Sequence, residues 1–99
     1  MKYALLSLRW THKNDDFITF WRHDAKGYCW FKAWMGRYSI VRSAQHSSDR
    51  TKRVSFEVLE PFWQEVSYEG KIRYVIPNTA EVREVMGIKS EDFQREYPS

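Results

Sequence analysis

Ninety-nine residues form one domain, residues 1–99, with a single small core and a narrow margin of stability; five Trp, six Tyr and six Phe must supply much of its packing, which excludes disorder as the main state. One cysteine, Cys29, excludes an internal disulfide, and no apolar run approaches the roughly 18 residues that a membrane-crossing helix needs. The formal charge of +3 divides unevenly, with eleven Lys/Arg against four Asp through Arg53 and five Lys/Arg against nine Asp/Glu beyond it.

Met1 to Arg9 is too short and too soon charged for a secretory leader, so the expected location is the cytoplasm. Within it, Tyr3 to Trp10 predicts a strand buried mainly on the Ala4, Leu6, Leu8 and Trp10 side. Thr11 to Asp15 has turn composition. Asp16 to Arg22 and Tyr28 to Met35 predict two strands joined across His23 to Gly27, with Gly27 supplying the positive φ that closes a hairpin. Arg37 to Arg42 predicts a further short strand. Ser43 to Arg53 lacks apolar periodicity and predicts a long, mobile, basic loop. Arg53 to Val58 alternates as a half-buried strand.

Pro61 suits a first helical turn, which would place Phe62, Val66 and Leu59 on one helical face. After the turn at Glu69 and Gly70, Lys71 to Ile76 predicts a strand with Ile72, Tyr74 and Ile76 inward. Asn78 predicts a helix N-cap, with Glu81 completing a capping box. Val82, Val85 and Met86 follow as a buried stripe, and Gly87 as the C′ residue. Ser90 to Phe93 suggests a last helical turn before Pro98. The expected fold is α+β: an antiparallel sheet of four or five strands with two short helices toward the C-terminus.

The Asp16 to Met35 hairpin carries the functional expectation. Successive strand side chains point to opposite sides. Phe17, Thr19 and Trp21 oppose Ile18, Phe20 and Arg22; Tyr28, Trp30, Lys32 and Trp34 oppose Cys29, Phe31, Ala33 and Met35. Large rings on both faces exceed what a small sheet can hide, so some face a partner. Trp21, Arg22, Trp30 and Trp34 are the expected contacts, with Lys32 and Arg37 at the rim.

Catalytic and metal chemistry find little support. No nucleophile motif accompanies His12, His23 or His46, all in expected turns or loops. Cys29 inside a strand reads as a small buried thiol rather than an activated one. His12, Asp15 and Asp16 share a turn but lack the thiolates of a structural zinc site. The four glycines are too far apart to cradle phosphates. No cofactor is expected; a small enzyme would have to assemble Cys29, His46 and Asp24 in three dimensions.

Two binding chemistries remain. Trp and Arg are the usual anchors of protein interfaces. The same rings with Arg22, Lys26, Lys32, Arg37 and Arg42 also suit stacked bases and phosphates of single-stranded nucleic acid. A basic surface and an acidic one can coexist on such a chain, but mimicry of DNA would require acidity throughout.

Tyr3 to Arg9, Thr11, Lys13, Phe17 to Arg22, Gly27 to Trp30 and Gly36 to Tyr38, with Ile76 to Thr79 and Met86 to Ile88, resemble a group of small bacteriophage and prophage accessory proteins over about half the chain. These motifs are structural, so no site residue carries over. The resemblance implies a phage protein in the host cytoplasm that blocks a host protein or nucleoprotein complex, such as a restriction or CRISPR system, by stoichiometric binding. An exposed sheet edge could pair two copies, so the expected state is a monomer or homodimer.

Overall fold

The computed structural model describes residues 2–11, 15–48 and 50–89. His12, Lys13, Ser90 to Phe93 and Pro98, which the sequence reading uses, lie outside them. The architecture is α+β, with a four-stranded antiparallel sheet, a separate two-stranded sheet and short helices.

The larger sheet contains β1 (Tyr3–Ser7), β2 (Phe20–Trp21), β3 (Tyr28–Cys29) and β4 (Thr51–Ser55), in the order β3-β2-β1-β4. β1 is central and pairs along its length with β4, from Tyr3 opposite Ser55 to Ser7 opposite Thr51. Its burial corrects the one-sided expectation: Ala4, Leu5, Leu6 and Ser7 are all closed to solvent. Ala4, Leu6 and Leu8 enter the main core with Ile18, Phe20, Leu59, Ile76 and Val82, while α1 (Ile40–His46) also packs on β1. Trp10 leaves this layer because the chain turns after Ser7. Thr11 N–H donates to the Ser7 carbonyl at 3.1 Å, and Trp10 N–H to Ser7 Oγ, also at 3.1 Å.

The predicted hairpin forms, but its ladder is short. β2 and β3 pair only through Phe20 with Cys29 and Trp21 with Tyr28. Beyond Cys29 the backbone leaves the sheet for a 3-10 turn at Lys32–Trp34. Side-chain alternation survives in part: Ile18, Phe20, Phe31 and Met35 are buried and Tyr28 and Trp30 open, but Thr19 is buried as well, and Arg22 and Ala33, expected on the Phe20 and Phe31 sides, are exposed.

α1 overturns the expectation of a strand at Arg37 to Arg42 and a loop from Ser43. Ser39 Oγ caps it by accepting from Arg42 N–H at 3.2 Å. Its inward residue is Ser43, fully buried, whose hydroxyl donates to the Ile40 carbonyl at 2.9 Å. A serine satisfied by its own helix leaves no apolar period to detect.

The next elements are also displaced. β4 ends at Ser55, which caps α2 (Phe56–Leu59), and a 3-10 turn containing Pro61 follows at Glu60–Phe62. The helix expected through Val66 stops there, because Gln64–Tyr68 is strand β5. β5 pairs with β6 (Lys71–Val75) across a two-residue turn in which Glu69 (φ 51°) and Gly70 (φ 76°) are both left-handed, the requirement of a hairpin turn matched to strand twist.

β6 faces the opposite way from its prediction. Val75 is fully buried, whereas Ile72 is 62% exposed and Tyr74 is open. Ile76 is buried as expected, but beyond the strand, where its carbonyl accepts from Ile18 N–H at 2.9 Å. Arg73 explains the inversion: its guanidinium carbon lies 5.5 Å from the Phe31 ring centre and 5.1 Å from that of Trp34. A cation resting on rings can hold an inward position that a pattern of apolar residues would assign elsewhere.

α3 (Ala80–Val85) begins one residue later than expected. Thr79 is the N-cap, its Oγ1 accepting from Val82 N–H at 3.2 Å. Asn78 instead ties the helix start to the preceding chain: Nδ2 donates to the Asp15 carbonyl at 2.9 Å, and Oδ1 accepts from Arg83 at 3.0 Å. Val82 and Met86 form the buried stripe, but Val85 is exposed. Gly87 takes the expected left-handed φ of 71°.

Candidate functional site

An open groove of about 510 Å³ lies between the β2–β3 hairpin and the β5–β6 turn. Trp10, Tyr28, Trp30 and Trp34 line it with Arg22, while Phe31 and Tyr68 join its two sides at a ring separation of 5.1 Å. Trp10, Trp30 and Trp34 are 43%, 44% and 42% exposed. No tryptophan is fully buried, Trp21 and Trp63 being intermediate. Indoles held open together beside a well-packed core are more informative than a scattered exposed ring.

Each indole is held in place. Trp30 Nε1–H donates to Thr19 Oγ1 at 3.1 Å, and the Phe17 and Trp30 rings meet in a T-shaped arrangement with centres 5.8 Å apart. Thr19 is fixed in turn by Thr11, whose Oγ1 accepts its N–H at 2.9 Å. Arg22 lies over Trp34 at 5.4 Å, with Arg73 and Phe31 also against that indole. Arg9 lies over Trp10 at 5.3 Å, and Tyr28 packs against the same ring. Ordered rings and guanidinium groups reduce the entropy lost when a partner binds.

Arg22, Trp30 and Trp34 therefore meet in one groove, as their shared hairpin implied. Trp21 stands beside it, 4.6 Å from the Tyr28 ring, with its indole N–H donating to Thr51 Oγ1 at 3.3 Å. Lys32 and Arg37 do not line it. Lys32 lies over Trp63 at 5.1 Å and 4.0 Å from Glu60, while Arg37 covers Phe56 at 4.6 Å. Trp10, Tyr68, Glu69 and Arg73 belong to the groove region but were absent from the predicted contact set. Trp10 gave no usable signal, because alternation with Leu6 and Leu8 assigns it to the core, and only the turn after Ser7 brings it to the groove. Tyr68, Glu69 and Arg73 arrive only when the second sheet packs across the first.

Guanidinium groups reach the groove from three directions: Arg22 from the hairpin, Arg9 over Trp10 and Arg73 from β6. Among the described residues Arg9, Arg22 and Arg73 have no carboxylate partner, and Glu69 stands at the opposite wall. The ion pair of Arg42 with Asp24, 3.3 Å apart, lies at the hairpin loop, where His23 also approaches Asp24 at 3.3 Å.

The suggested Cys29, His46 and Asp24 set has no triad geometry. Cys29 Sγ–H donates to the Phe31 carbonyl at 3.7 Å, while His46 packs edge-on to Tyr38. Asp24 is engaged with His23 and Arg42. Burial pushes the Cys29 thiol up to about 11, against smaller opposing pulls from the Arg22 charge and a backbone hydrogen bond at Phe31. That is the reverse of an activated thiol. Among the described residues no group of three His, Cys, Asp or Glu side chains gathers to hold a metal ion, and no helix is long and apolar enough to cross a membrane.

Compared with known proteins, the chain matches no family model, and no curated protein or solved structure shows significant similarity to it.

Proposed function

We propose that this chain is a non-enzymatic binding protein that seats its aromatic groove on a host protein and blocks the complex to which that protein belongs. The observation that carries this reading is the cluster of three half-open indoles, Trp10, Trp30 and Trp34, fixed beside Arg22 in one groove. Preordered Trp and Arg side chains are the residue types that concentrate binding energy at protein interfaces.

The ring environment favours protein over nucleic acid. Base stacking needs an open ring face. Trp34 already meets Arg22, Arg73 and Phe31, while Trp10 meets Arg9 and Tyr28. Rings already covered by a guanidinium group suit the uneven apolar surface of a protein better than a column of bases. The phage setting, the host cytoplasm and a defence complex as target rest on the resemblance carried by the strand and hairpin motifs. Stoichiometric blocking fits a groove without an activated nucleophile.

The test is affinity capture from nuclease-treated bacterial lysate with the full chain and its Trp30→Ala/Trp34→Ala variant. The expected result is one host protein retained in near-equal amount by the parent and lost with the variant. Absence of any specific host protein would remove this reading.

Single-stranded nucleic acid is the second reading, favoured by three guanidinium groups, of Arg9, Arg22 and Arg73, that have no carboxylate partner among the described residues. It predicts filter retention of mixed oligonucleotides at low salt and a steep loss as salt rises. No retention at low salt excludes it.

A further inference from the structure

We infer that the groove takes an extended acidic peptide segment, which adds as a further strand to the open edge of β3. This inference rests on the protein-binding reading and names the partner's chemistry. Tyr28, Cys29, Trp30 and Phe31 all line the groove, although their side chains alternate between the sheet's faces. The groove therefore follows the chain from β3 (Tyr28–Cys29) through Trp30 and Phe31 to the 3-10 turn, and its β3 part lies against the strand's outer edge. β3 is the terminal strand of its sheet, so among the described residues no strand pairs with that edge.

The hydrogen-bond phase is set by Arg22 N–H, which donates to the Gly27 carbonyl at 2.9 Å. Antiparallel ladders alternate bonded and non-bonded pairs. The Trp21–Tyr28 pair is therefore non-bonded, and the Tyr28 N–H and C=O point away from β2 toward the edge. An incoming extended segment can satisfy both, with alternate side chains lodging between the rings. Charge complementarity selects an acidic segment: Arg22 lines the groove and Arg73 stands against Trp34, neither with a carboxylate partner among the described residues. Glu69 marks the far wall, where Tyr68 packs on Phe31.

The test titrates the full chain with the blocked octapeptides (Glu-Val)4 and (Lys-Val)4 and with the oligonucleotide dT12, following tryptophan emission. Saturable binding of the glutamate peptide is expected, at least tenfold tighter than the lysine peptide. Arg22→Gln and Tyr28→Pro should each weaken it tenfold or more, and Tyr28→Ala, which keeps the amide, should weaken it less than Tyr28→Pro. Amide exchange at Tyr28 should slow at least tenfold in the parent complex, a readout independent of any variant's folding.

Saturation by dT12 alone, equal binding of both peptides, or unchanged exchange at Tyr28 would overturn the inference. So would concentration-dependent dimerisation abolished by Tyr28→Pro, which would assign the edge to a second copy. If a folded Tyr28→Pro still captures a host protein that Trp30→Ala/Trp34→Ala loses, strand addition fails while the groove remains a protein-binding site. Loss of capture by the parent itself removes the broader reading.

Discussion

Tyr38 holds the hairpin loop through Ala25, whose backbone N–H donates to the phenol oxygen at 2.9 Å. The same hydroxyl donates to the Arg22 carbonyl. Ala25 has a φ of 55° and Asp24 one of 56°, left-handed conformations that non-glycine residues adopt at a cost. The phenol thus stabilises a strained loop and, through Arg22, one side of the groove. Tyr38→Phe leaves two backbone groups without this partner and should lower unfolding free energy by about 1–2 kcal/mol. Urea denaturation checks the value, and amide exchange at Ala25 should accelerate in parallel.

Gly36 makes this contact sterically attainable. A Cβ there would lie 2.5 Å from Tyr38 Cε2 and 2.9 Å from the Arg22 carbonyl oxygen, a backbone atom with little freedom to move. Gly36→Ala should therefore cost about 2–3 kcal/mol, near the upper end for overpacking. Gly70 provides a contrast, because its φ is 76° but no atom lies near an added Cβ. Gly70→Ala should cost only the backbone term, about 1 kcal/mol. Equal thermal shifts for the two variants would contradict this account.

Partner binding should divide the predicted contacts according to their positions. Trp30→Ala and Trp34→Ala should each weaken capture tenfold or more, about 1.4 kcal/mol per tenfold. Arg22→Ala should act in the same direction. Lys32→Ala and Arg37→Ala should change affinity less than threefold, since Lys32 is held by Trp63 and Glu60 and Arg37 by Phe56. Affinities of purified variants for the captured protein, measured by calorimetry, provide the check.

Alkaline pH should destabilise the fold through Cys29. The folded thiol is raised from 9.0 to about 11 by burial, so the folded state binds its proton more tightly than the unfolded chain. Its contribution is complete below about pH 9 and declines as pH rises toward 11. Tyr38, also raised by burial, acts in the same direction. Urea midpoints at pH 7 and pH 10.5 should fall less in Cys29→Ala than in the parent chain. The thiol should also resist alkylation at pH 7–8 in the native protein.

Several features follow from chain-local physics. The inward residues Ile18, Phe20, Phe31 and Met35 and the outward Tyr28 and Trp30 follow strand alternation, even though the ladder itself ends after Cys29. Gly87 and the Val82–Met86 stripe are likewise visible because a helix end has its own stereochemistry. α1 escaped recognition because its inward position is Ser43, satisfied by a carbonyl of the same helix. β6 turns the opposite face inward from the one its apolar pattern implies, because Arg73 takes an inward place on two rings.

From its residues alone, this chain determined an α+β class, the two-faced aromatic hairpin and a surplus of rings over available interior. Those properties depend on neighbours in sequence, through strand periodicity and side-chain volume. Only tertiary packing decided that Trp10 would leave the core, that Tyr68 and Glu69 would form the opposite wall, and that Lys32 and Arg37 would lie elsewhere. A groove between two sheets depends on their relative placement, which long-range contacts set and local periodicity does not encode.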